Sequence, residues 1–242
     1  MTSPKTLARI AGLLYFGTSV TFVFAVQVRN HVEATDAAAT AANIRASATL
    51  FRVGFVADLV SMAGFLLVAL ALYLLLKHVD QFAALAMVAL VAVMVAVGYL
   101  NALNQYSALT IATNPQYTQT FGQAGSNALV TMFTDIQGNG LDTQALFWGL
   151  WLLPLGYLVF KSGYFPKVIG PLLIIAGFSW IAQFLVIFLA PNLRSSLSFL
   201  AVGSDGELVF IAWLLVKGAR VGASGVTSLQ AERQMSTAEL EA

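Results

Sequence analysis

The feature that most limits this chain is the length of its charge-free runs, because crossing a hydrocarbon core about 30 Å thick takes about 20 consecutive apolar residues. Ile10 to Val28 gives 19 uncharged residues between Arg9 and Arg29. Eighteen more separate Asp58 from Lys77, and the run extends back to Val53 if Asp58 is tolerated near one helix end. Of the 54 uncharged residues between Asp80 and Asp135, the stretch from Phe82 to about Leu103 is lipid-like, with an extension to 112 left open. From Asn114 the text turns to PQYTQTFGQAGSN, read as a polar loop, with an external helix or a re-entrant segment left open over 113–140. Thr143 to Phe160 supplies 18 residues, and Val168 to Leu193 supplies 26.

A sixth run, 196–216, exists only if Asp205 and Glu207 lie inside or at the edge of the span. A carboxylate at a helix centre costs about 2.5–3.5 kcal/mol on the insertion scale, and each Leu, Ile, Phe or Val returns about 0.3–0.6 kcal/mol. Eleven such residues return about 5 kcal/mol, so insertion is feasible with the acids off-centre or partnered. The expectation is an all-α polytopic bundle of six spans, 8–28, 53–76, 82–103, 143–160, 168–190 and 196–216, with five as the fallback. They form a single transmembrane domain over 1–217, followed by a mobile tail over 218–242, where the composition becomes small and polar.

Composition agrees. Of 242 residues 59% are hydrophobic and 10% charged, with a net charge of +1, against about 45–50% and 25% in a soluble domain. The expected partner is therefore a lipid bilayer. A nucleic-acid binder, which draws affinity from phosphate neutralisation, is excluded. Cys is absent, which removes thiolate catalysis and thiolate metal sites. No metal or cofactor is expected, and oligomeric state is left open.

Orientation follows from basic residues in short loops. Six spans gather Lys5, Arg9, Lys77, Lys161, Lys167, Lys217 and Arg220 on one side and Arg29, Arg45, Arg52 and Arg194 on the other. Both termini are thus expected in the cytoplasm, and the first span is read as an uncleaved anchor. Between Arg29 and Arg52, a Thr35 or Asp36 cap followed by helix formers predicts a short external amphipathic helix on the bilayer surface.

Glycines at 149, 156, 163, 170 and 177 recur every seven residues. Gly149 and Gly156 then mark one face of span four, and Gly170 and Gly177 one face of span five, as in closely packed membrane helices. Pro154 and Pro171 are expected to bend their spans.

No HExxH, GxSxG, P-loop or GxGxxG pattern occurs, and His31 and His78 fall on opposite sides. The polar residues inside or flanking the spans are more informative. Asp58, Glu207, Asn101, Asn104, Gln105, Gln183 and Asp135 all fall in the external half, with Arg45 and Arg52 nearby to neutralise Asp58 and Glu207. Intramembrane ionisable groups usually face the bundle interior, so an outward-opening polar cavity is expected. Two uses stay open: inter-helix hydrogen bonding, or binding a small polar solute, ion or proton. A structural or partner-binding protein is the alternative to a solute binder, and an intramembrane enzyme has the least support.

The segments DAAATAANI (Asp36–Ile44), FRVGFVADL (Phe51–Leu59), SGYFPKVIGPLLIIAG (Ser162–Gly177) and GELVFIAWLLVKG (Gly206–Gly218), in this order, resemble the bacterial membrane-protein family known as domain of unknown function 4386. The resemblance covers about Lys5 to Gly218. It implies an integral multi-helix membrane protein of a bacterium, and it carries no activity and no assigned residues.

Overall fold

A computed structural model describes residues 3–193 and 206–220. The 196–205 part of the expected sixth span, with Asp205, and the tail from 221 to 242 lie outside the described residues, as does Arg194.

Seven α-helices occur among the described residues, most of them started by a capping side chain. Ser3 accepts the Thr6 N–H at 3.2 Å and begins α1 (Pro4–Val32), with Pro4 where its missing N–H costs nothing. Asp36 accepts from Ala39 at 2.8 Å and begins α2 (Ala37–Ala46). The chain then enters α3 (Ala48–Leu76) almost directly. Asp80 accepts from Ala83 at 3.0 Å and begins α4 (Gln81–Thr113). Asn114 accepts from Gln116 at 3.0 Å and begins α5 (Pro115–Lys161), which breaks at Gly122, where φ is +72°. Then follow α6 (Ile169–Leu189), a 3-10 turn (Pro191–Leu193) and α7 (Gly206–Val216).

Five of these helices, α1, α3, α4, α5 and α6, are long and apolar enough to cross a membrane. The described part of α7 has 11 residues, about 16 Å of helix and half of a hydrocarbon core. Five long helices are therefore established, and six complete crossings are not.

One expectation about the connecting segments changes. The segment read as a polar loop from Asn114 is helical: α4 has 33 residues and α5 has 47. At about 1.5 Å per residue, each runs past the thickness of a bilayer core. The short helix expected between Arg29 and Arg52 is α2, and it buries Thr40, Ala41 and Ile44 against α4 and α5. With Val28, Val32, Phe51, Ala108, Leu109 and Val130 it forms an apolar cluster that holds the protruding ends together. Polar composition hid this because the helix there is supported by tertiary burial rather than by its own pattern. Pro171 sits in the first turn of α6, where no hydrogen bond is lost, and α5 stays helical through Pro154.

The helices close into a ring. α1 packs between α3 and α7, α3 meets α4, α4 meets α5, α5 meets α6, and α6 meets α7. Leu13, Phe16, Val20, Val56, Leu67, Leu85 and Leu100 point outward and are exposed, the distribution expected where lipid replaces water as solvent. The larger apolar cluster lies towards the Leu76 end and includes Leu72, Met87, Trp151, Leu155, Leu173 and Leu214.

The α5–α6 seam is built on the glycines. A Cβ on Gly149 would stand 2.5 Å from the Gly177 carbonyl oxygen, and one on Gly177 would stand 2.8 Å from that of Gly149. Gly156 and Gly170 face each other in the same way, at 2.8 and 2.7 Å. Only hydrogen in place of a side chain lets the two backbones meet at two levels.

At one end of the ring the Arg220 N–H donates to the Tyr164 carbonyl at 2.9 Å, the His78 and Tyr164 rings lie 4.9 Å apart, and Gly218 touches Lys5. The N-terminal end, the 77–80 turn, the 162–168 turn and the end of α7 therefore share this lysine-rich end. Arg29, Arg45 and Arg52 lie towards the other, the α2 end.

Candidate functional site

The polar residues do not form one cluster. They fall into three groups at different depths.

The first is an ion pair between α1 and α3. Arg29 Nη1 donates to Asp58 Oδ2 at 2.8 Å, with Arg29 5% and Asp58 1% exposed. Measured from Lys77, Asp58 is 19 residues along α3, about 28 Å, which places it at the far boundary of a hydrocarbon core. Gly54, one turn earlier, makes room for Val28, so the helices close tightly beside the pair. Arg45 and Arg52, expected to neutralise Asp58 and Glu207, are exposed and do neither. Arg29 does so for Asp58 because α1 continues past the charge that ended its apolar run and turns that side chain inward. Arg29 Nη2 and Asp58 Oδ1 have no hydrogen-bond partner among the described residues.

The second group is a set of amides between α4 and α5. Asn101 Nδ2 donates to the Gln137 carbonyl at 2.9 Å, Asn104 Nδ2 to Asn101 Oδ1 at 3.2 Å, and Gln137 Nε2 to Gln105 Oε1 at 3.0 Å. The Asn101 amide fits because Gly140 has no side chain to occupy that space. Between this group and the ion pair opens a vestibule of roughly 590 Å³, lined among others by Arg29, Glu33, Thr134, Asp135, Gln137 and Asp142. Asp135 stands on its wall, and Gln137, which also lines it, bonds Asn101 and Gln105.

The third group surrounds Glu207. The Tyr15 hydroxyl donates to the Glu207 carboxylate. On α1, Tyr15 stands 10 residues, about 15 Å, from Lys5 and 14 residues, about 21 Å, from Arg29, so Glu207 lies between the two ends of the bundle, near mid-depth and well away from Asp58. Its surroundings are aromatic: a cavity of roughly 190 Å³ is lined by residues from all six ring helices, including Tyr15, Phe65, Trp148, Trp151, Trp180 and Glu207. Trp180 faces the same carboxylate, although its Nε1 lies outside hydrogen-bond geometry. The Gln183 side-chain amide donates back to the Ser179 carbonyl at 3.4 Å.

Tyr15, Arg29, Glu33, Gln137 and the three tryptophans were not singled out in the sequence. Arg29 and Glu33 looked like flanks of a span. Gln137 sat in presumed loop, and the aromatic rings meet only because the ring of helices closes. Among the described residues no three His, Asp or Glu side chains come together as a metal site.

Comparison with known proteins places the chain in a family without assigning chemistry. An uncharacterised protein of Archaeoglobus fulgidus is 38% identical over 84 residues, which is 34% of this chain and 48% of the archaeal protein. The match thus spans about half of that relative. No solved structure matches. Residues 10–218, which take in all five long helices nearly whole together with α7, match the family described as "Domain of unknown function (DUF4386)", and the chain belongs to that family.

Proposed function

We propose that the protein binds, and passes across the membrane, a small positively charged solute admitted at the vestibule of the α2 end. The supporting observation is the charge of that vestibule. Glu33 and Asp135 line it with Arg29, whose guanidinium is already committed to Asp58. A cleft lined mainly by one sign of charge concentrates ions of the other sign. With the lysine-rich end in the cytoplasm, as the positive-inside tendency favours, the vestibule faces outward in a prokaryotic cell membrane.

The test uses the full chain reconstituted into liposomes on a solid-supported membrane, with transient currents recorded on addition of sodium, potassium, ammonium and small alkylamines. Glu33 and Asp135 are exposed, so Glu33→Gln and Asp135→Asn should leave folding intact. They should lower the apparent affinity for the responding cation about ten-fold, the size of one good charge contact. No response in the natural protein, or responses equal in both variants, would sink the proposal.

A structural or partner-binding role is the competing reading, supported by the Arg29–Asp58 pair and the amides, which tie helices together inside the bundle. It predicts that current is absent and that cross-linking in native membranes recovers a reproducible neighbour through the α2 end.

A further inference from the structure

The central cavity differs from the vestibule in kind. Its wall is mainly aromatic and apolar, and among the described residues that line it Glu207 is the only ionisable carboxylate and no Lys, Arg or His occurs. Trp148 meets Trp180 edge-to-face with centroids 5.0 Å apart, and Phe65 meets Trp151 in the same way at 4.9 Å. These contacts fix the rings as a box between helices. The group bonded to the carboxylate is the Tyr15 hydroxyl, which brings a proton but no positive charge.

A carboxylate at mid-depth is costly unless a positive charge matches it, and aromatic faces attract cations most strongly where water is excluded. Both features favour the same occupant. A strongly hydrated metal ion gains little here, because aromatic walls cannot replace its water shell. A substituted ammonium ion is weakly hydrated and carries apolar surface for the rest of the wall. The size also allows it: the space, partly open at one side, is roughly 190 Å³, and a closed void of about 150 Å³ already holds a benzene molecule.

We propose that the cavity binds a small organic monocation of the alkyl- or arylammonium class, with Glu207 as its counter-charge and the tryptophan rings as its walls. The site stands on the geometry of the central cavity alone, and passage through the vestibule is not required for it.

Benzyltrimethylammonium and neopentylbenzene have nearly the same shape and differ in charge, so they separate a cation site from a plain apolar hole. Three of the four tryptophans line the cavity, which makes intrinsic fluorescence of the full chain in lipid nanodiscs a direct readout, checked by calorimetry. The cation should bind saturably and at least ten-fold more tightly than the neutral compound. Glu207→Gln should remove most of that preference, and Tyr15→Phe, which keeps the charge, should retain it. Trp180→Leu, which keeps the carboxylate and removes a ring, should weaken the cation several-fold even if Glu207→Gln proves unstable. Glu33→Gln and Asp135→Asn should change nothing in this titration. Equal binding of the two compounds, absence of saturable binding, undiminished cation binding in Glu207→Gln, or loss of binding in the vestibule variants would each overturn the proposal.

Discussion

Arg29 ends the first charge-free run and so reads as a flank, yet its guanidinium is buried against Asp58. Asp58 was visible as a carboxylate in an apolar span. Its partner was not, because which charge faces it depends on the register of two helices joined through α2, and nothing local encodes that register. The same holds for Asn101, whose partner Gln137 sat in apparent loop, and for Glu207, whose partner Tyr15 is 192 residues away. The types of polar group inside the spans were thus legible, and the depth of Glu207 and the pairings were not. The pair also makes a residue-scale prediction. Removing one member of a buried pair typically costs about 3–5 kcal/mol, whereas replacing both with apolar residues of similar volume is often close to neutral. Arg29→Met should therefore destabilise the protein by about that amount, and Arg29→Met with Asp58→Leu should restore most of it. Unfolding by SDS titration in mixed micelles measures both. A double variant no better than the single would mean that Asp58 is held by something other than Arg29.

At the scale of elements, the seven-residue glycine period was a direct reading of geometry. Two turns of helix bring the same face round again, and the facing pairs Gly149–Gly177 and Gly156–Gly170 sit on the α5–α6 seam. The boundaries of α4 and α5 were less legible. Hydropathy reports where lipid lies, so it stopped near Leu103 and resumed at Thr143, whereas the helices continue into a protein-covered extension. The seam yields a second prediction. Gly149→Ala alone should destabilise by about 1–3 kcal/mol, as overpacking usually does. Gly149→Ala with Gly177→Ala should cost clearly less than the sum, because the first methyl already separates the backbones at that level. Additive losses in the same SDS titration would show that the two glycines act independently.

Taken whole, the molecule is a ring in which the chain visits each long helix once and returns beside its start. The charge asymmetry read from the sequence appears as two physically distinct ends. With no cysteine in the chain, single-cysteine variants give a clean test of it. Cysteines at His78, Ser162 and Lys217 should react with a membrane-impermeant maleimide from one side of sealed vesicles, and cysteines at Thr35 and Gln116 from the other. A split within either set would break the ring topology. The meeting of Lys5 and Gly218 has a further consequence. The seam between the first and last helices, where Gly12 makes room for Leu214 and Tyr15 meets Glu207, is held by side-chain contacts without a direct loop, while the other neighbouring pairs are also joined along the chain. A circular permutant linking residue 218 to residue 3 and opening the 162–168 turn would put both new ends on the lysine-rich face and leave every helix pointing the way it does now. For this architecture the order of helices around the circle, rather than the place where the chain starts, is what the fold requires.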